Sequence, residues 1–175
     1  ASVGRVGDSA SVGWVGGSAR VVSASGQAVL ALHDLARIQH AAKYVCVYLH
    51  SALARVAGGH VIDLTSLDLL DIEQWIDYTG AETDGDDVLL YKAVDANLRA
   101  GHSYRPTEYP VGSTVTEADW RDDHACGGGL HASPSPQQAR GYYTAAARML
   151  VVAAPRASLR TIGADKVKAP ALRVL

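Results

Sequence analysis

Up to about residue 65, small and apolar positions return at a fixed interval. Ala1, Ala10 and Ala19 open successive units nine residues long, the first two reading Ala-Ser-Val-Gly-x-Val-Gly-x-Ser. The interval then reads as eight, with Ala28, Ala36, Tyr44, Ala52 and His60 opening the later units. Two positions on, Val3, Val12, Val21, Leu30, Ile38, Cys46, Ala54 and Ile62 form a recurring apolar column. A unit this short cannot bury a face alone, but stacked units share a continuous core. Each unit holds one short strand and one tight corner, with Gly4, Gly7, Gly13, Gly16, Gly17 and Gly26 supplying corners that need unusual backbone angles. The pattern predicts a β-solenoid over residues 1–65, and two units per coil fit it. A helix over 28–57 competes on propensity, but the repeat register persists to His60.

The period then changes. Apolar residues at 69, 70, 72, 75 and 76 have helical spacing. Thr65 or Ser66 offers a cap and Gly80 a stop. Residues 81–87 read as an acidic linker without the ligand spacing of a calcium loop. Residues 66–87 are therefore a helix and acidic linker. From 88 to 175 the apolar runs are short and mixed, at 88–94, 109–116, 130–133, 149–154, 159–162 and 171–175, with a helix opening at Pro136. That order predicts a small C-terminal α+β domain.

Composition and charge narrow the function classes. A net charge of −2 gives the whole chain no electrostatic case for nucleic acid or an anionic membrane. The basic run from Arg156 to Arg173 reads as a solvated face, so nucleic acid is not an expected partner. No apolar run reaches the roughly 20 residues of a membrane span. No signal peptide is visible, which points to a cytoplasmic or virion-associated protein. Cys46 and Cys126 do not make a disulfide framework, and a reducing compartment is the simpler reading. The chain opens with Ala in mid-repeat, as expected of a processed chain or a piece of a longer one. Abundant Ala and Gly, Arg in excess of Lys and a lack of Phe fit GC-rich genomes such as those of actinobacteria and their phages.

The segment with most site character is Cys126-Gly-Gly-Gly-Leu-His-Ala-Ser133, followed by a Pro-rich turn and a helix. Cys126 and His131 are a candidate nucleophile and base, set against packing roles for both. His124, Cys126 and His131 have irregular spacing for zinc, and no metal site is expected. The triple glycine lacks the Lys-Ser/Thr of a phosphate loop. His33, His40, His50 and His60 read as exposed solenoid residues, and Trp14 and Tyr48 as surface aromatics.

Three resemblances add to this. The N-terminal units resemble short-period β-solenoid repeats of phage and bacterial surface proteins. Leu90-Tyr-Lys-Ala-Val-Asp95, Trp120, Cys126-Gly-x-Gly-Leu-His131-x-Ser133 and Lys166-Val-Lys-Ala169 together resemble an uncharacterised domain of phage and actinobacterial proteins. That likeness covers residues 88–175 and brings no activity. More distantly, Gly127-x-Gly129-Leu130-His131-x-Ser133, Ala139 and Tyr142 are similar to the strand and helix that wall the nicotinamide pocket of ADP-ribosyltransferases. This implies NAD as ligand and places Tyr91 near the ribose. The sequence departs from that family in Tyr91-Lys92 and in having no glutamate after Glu117. The ligand-binding candidates are therefore Tyr91, Gly127, Gly129, His131, Ser133 and Tyr142. The expected function is that of a phage-related structural or interaction protein, its solenoid meeting a protein partner or a second copy. The alternative is an ADP-ribosyltransferase-like enzyme or a degenerate nucleotide-binding domain.

Overall fold

The computed structural model describes residues 1–102 and 105–175. They form two compact units, Ala1–Leu67 and Asp68–Leu175.

The first unit is a β-solenoid of four coils with two strand segments per coil. Its strands are β1 (Ser2–Val6), β2 (Ser11–Val15), β3 (Arg20–Ala24), β4 (Val29–Leu32), β5 (Arg37–Leu49) and β6 (Arg55–Asp63). On one side β1, β3, β5 and β6 stack in parallel, with Ser2 beside Arg20, Arg20 beside Arg37 and Arg37 beside Arg55. On the other, Ser11 lies beside Val29, Val29 beside Cys46 and Cys46 beside His60. β5 and β6 are long enough to serve both sides. The region open to a helical reading, 28–57, is thus strand. Inside, Val21, Leu30, Leu32, Ile38, Val45 and Val47 form the apolar column, each burial worth roughly 1.5–3 kcal/mol.

One detail of the repeat differs from the sequence reading. The eight-residue step holds only from Ala28 to Ala36. The buried positions then run from Ala36 to Val45 to Ala54, back at nine, while Tyr44 is 68% exposed. Cys46 sits on the outward side of its strand, between buried Val45 and Val47. Ile62 is likewise not inside but exposed. Trp14, His33 and His50 stack ring on ring, with centroids 3.6 and 4.4 Å apart. Faces meet there, not the nitrogen lone pairs that a metal requires.

The second unit begins with α1 (Ile72–Thr79), capped by Asp71, whose Oδ1 accepts from the Glu73 and Gln74 amides. Thr65 and Ser66 are too far upstream to cap it. Gly80 ends it in the left-handed conformation. The acidic stretch after it is a hairpin, β7 (Thr83–Asp84) turning through Gly85-Asp86 into β8 (Asp87–Val94). Then come β9 (Arg99–His102), β10 (Arg105–Glu108), β11 (Thr114–Thr116), β12 (Leu130–Ala132), α2 (Pro136–Tyr142), β13 (Arg148–Pro155), β14 (Arg160–Ile162), β15 (Lys166–Ala169) and β16 (Ala171–Val174). An antiparallel sheet runs β11-β16-β13-β8-β7, and a second runs β12-β15-β14. The two meet where Tyr91 and Ser133 exchange backbone hydrogen bonds of 2.8 and 3.0 Å. Trp75 of α1 and Ala81 belong to the core of this unit with Val88, Leu90 and Val152.

The basic run of the C-terminal segment is largely neutralised within this unit. Arg156 pairs with Glu73, Arg160 with Asp122, Lys168 with Asp123 and Arg173 with Asp87. Among the described residues, no helix is long and apolar enough to cross a membrane.

Candidate functional site

A cleft of about 640 Å³ opens beside the glycine-rich segment of the second unit. It brings together Tyr91, Gly127, Gly129, His131, Ser133 and Tyr142, all six sequence candidates. β8 supplies Tyr91, and β12 with the residue after it supplies His131 and Ser133. α2 supplies Tyr142 from a helix that starts because Ser135 Oγ accepts from the Gln138 amide and Pro136 fits the first turn. Ala139, small and buried, lets α2 approach β8.

The three glycines all have positive φ, at +93°, +57° and +154°. A Cβ on Gly128 would lie 3.0 Å from the Asp119 carbonyl oxygen and from Arg121 Cβ. One on Gly129 would lie 2.9 Å from the Trp120 ring. Packing of the 119–121 loop therefore sets the need for glycine at 128 and 129. Nothing in this geometry is specific to a nicotinamide ring, and the residues do not specify an NAD site. Lys168 ties Asp123, just after that loop, to the start of the glycine run. Its side chain is fully buried, and its Nζ donates to Asp123 Oδ1 at 2.5 Å and to the Gly127 carbonyl at 3.1 Å. That bond with Lys168, with help from the Ala125 amide, keeps the Asp123 carboxyl below its ordinary range.

The sequence reading missed the cations of this cleft. Lys92, Arg121 and Lys166 line it, alongside the carboxylates of Glu117 and Asp119. Lys92 Nζ donates to the His131 carbonyl at 2.6 Å, and burial lowers its pKa to about 8. Lys166 Nζ sits 4.5 Å from the centre of the Tyr142 ring and 3.4 Å from Cys126 Sγ. The Cys126 thiol thus faces an ammonium, while His131 Nε2 accepts from the Gly127 amide at 3.3 Å. The two do not contact each other as nucleophile and base. Tyr142 Oη donates to Asp165 Oδ2 at 2.8 Å, and its pKa rises to about 12 through partial burial and that carboxylate. One sequence signal for the cations existed. Lys166 and Lys168 are two apart around buried Val167, so on a strand they share a face.

His131 is held neutral. Burial first, then the charges of Lys92, Lys166 and Lys168, lower its pKa from 6.5 to about 4, against an opposing pull from Asp119. With Nε2 accepting, its proton resides on Nδ1. Between pH 6.5 and 4 the unfolded chain binds a proton that the folded unit does not. Stability of this unit therefore falls as pH drops through that window. Thermal melts at pH 7, 5.5 and 4 should show the fall, and His131→Gln should flatten it. Equal slopes for the two proteins would refute this state of the imidazole.

A family model described as a domain of unknown function, DUF7666, matches residues 88–175. That is 88 of 175 residues, half of the chain. The chain belongs to the DUF7666 family. No curated protein and no solved structure matches the chain, so the ADP-ribosyltransferase resemblance gains no support from them. The matched DUF7666 range opens at β8 and contains every candidate residue of the cleft. α1 and β7 precede it in the sequence, although both pack with it.

Proposed function

We propose that this chain is a two-module binding protein. Its solenoid is a spacer and attachment element, and its DUF7666 domain binds a small ligand in the cleft beside His131. The observation that carries the reading is the composition of the cleft: aromatic walls at Tyr91 and Tyr142, a neutral imidazole, and Lys92, Lys166 and Arg121 set among Glu117 and Asp119. Such a cleft suits a planar ring bearing one anionic group together with hydroxyl or amino donors. A nucleoside monophosphate has all of these. The 175-residue chain titrated by calorimetry with AMP should bind it at least about tenfold more tightly than adenosine or inorganic phosphate, since one charge-assisted contact is worth about 1.5–3 kcal/mol. Lys166→Gln should weaken AMP by a similar factor without lowering the melting temperature. Absence of heat with all three probes would count against the reading, as would unchanged AMP affinity in Lys166→Gln.

The attachment role rests on apolar side chains exposed on the solenoid. Val61 and Ile62 are 45% and 42% exposed on β6. Exposed apolar side chains on a stacked repeat favour a protein partner or a second copy. The phage particle suggested by the repeat is the proposed setting. Sedimentation of the full chain checks for self-assembly.

A further inference from the structure

The solenoid carries a second feature, unrelated to the cleft. Arg20, Arg37 and Arg55 each open a strand, and they sit in direct register across β3, β5 and β6. Neighbouring strands lie about 4.8 Å apart, so three outward guanidinium side chains climb the stack one coil at a time. They border a groove of about 370 Å³ with Gln39 and Ala57. Like charges directly opposite each other destabilise a sheet. Among the described residues, none of the three has a carboxylate partner to offset this. The three acids of residues 1–67 are at Asp8, Asp34 and Asp63. Asp34 accepts from the Gly17 amide and Asp63 from the Thr65 amide, both in turns. The Arg55 side chain is also fixed in place, its Nη1 donating to the Ala52 and Ala54 carbonyls at 2.7 and 2.8 Å.

A column of unneutralised arginines repeated over three coils fits an external anion whose charges recur along the same axis. Arginine binds sulfate and phosphate groups in a planar, two-pronged manner. The groove has no aromatic residue in its lining, whereas single-stranded nucleic acid is held by bases stacking on aromatic rings. We propose that the Arg20-Arg37-Arg55 ladder binds an extended sulfated or phosphorylated glycan, its oxyanions lying along the solenoid axis.

The test is salt-dependent binding of the full chain to heparin, a sulfated glycan. Wild type should bind, and Arg37→Gln should weaken binding at least about tenfold. The slope of log affinity against log salt should fall by about one for each arginine replaced. Lys43→Gln, on the same solenoid but away from the ladder, should bind as wild type does. Arg37→Gln should melt no lower than wild type, because it relieves a like-charge contact. No binding by wild type, or equal losses in Arg37→Gln and Lys43→Gln, overturns the proposal. Inorganic sulfate that matches heparin at equal sulfate concentration overturns the extended-chain ligand. A thymidine oligonucleotide that binds as tightly as heparin and with the same dependence on Arg37 overturns the glycan assignment.

Discussion

Trp75→Ala should destabilise the second unit by about 3–5 kcal/mol, the range for deleting a large buried aromatic. Trp75 is fully buried on an eight-residue helix. Its Nε1 donates to the Gly163 carbonyl at 3.0 Å, tying α1 to the turn between β14 and β15. Truncation removes the side chain from the apolar cluster that includes Val88, Leu90 and Val152, and leaves the Gly163 carbonyl without that donor. A helix this short has little stability of its own, so α1 is expected to detach as well. Amide exchange in β8 and β13 should speed up by about a hundredfold or more, at 1.4 kcal/mol per factor of ten. Exchange there within threefold of wild type would mean that α1 is peripheral to the fold.

The second large effect is expected in the solenoid. Gly58→Ala should cost about 2–4 kcal/mol, combining left-handed backbone strain with overpacking. Gly58 has φ +84°, and a Cβ there would fall 2.3 Å from the Ala41 carbonyl oxygen. Ala41 is itself buried on β5, so it has no free direction in which to yield. Here the pairing of β5 with β6 shifts register between Ile38 and Ala41 and again between Ala41 and Cys46. Gly58 lets β6 follow β5 around that bend. Loss of cooperative unfolding of the solenoid, followed by exchange of the β3 and β5 amides, is the predicted readout. A melt identical to wild type would show that the bend accommodates a side chain.

These two positions show what the sequence could and could not reveal. The solenoid was legible because repetition advertises it: each unit restates the same inward positions. The step back to nine residues after Ala36 was not, because apolar Tyr44, Val45, Cys46 and Val47 satisfy either register, and only burial separates them. α1 was legible from its spacing. Its cap was not, since Thr65, Ser66, Asp68 and Asp71 all carry a capping oxygen and only Asp71 lies at the right distance. In the DUF7666 domain, glycine clustering drew attention to residues 127–133, and Gly127, Gly129, His131 and Ser133 from that stretch line one cleft with Tyr91 of β8 and Tyr142 of α2. The reason for Gly128 and Gly129 lay elsewhere, in the Trp120 and Arg121 side chains packed against them. Lys92 reaches that loop from β8 and Lys166 and Lys168 reach it from β15, more than seventy positions later, so the sequence order hid their convergence. A Lys-Val-Lys-Ala tetrapeptide is also too short to stand out as a strand, which is why β15 escaped the pattern.

Where a ligand lands in the DUF7666 domain decides whether the cleft is a binding site. Amide shift mapping of the full chain titrated with AMP tests that most directly. The predicted result is a compact set of shifted amides at Tyr91, 127–133 and Tyr142, with the amides of 1–67 unmoved. Shifts concentrated in the solenoid, or none in 127–133 at saturating AMP, would contradict a binding cleft beside His131.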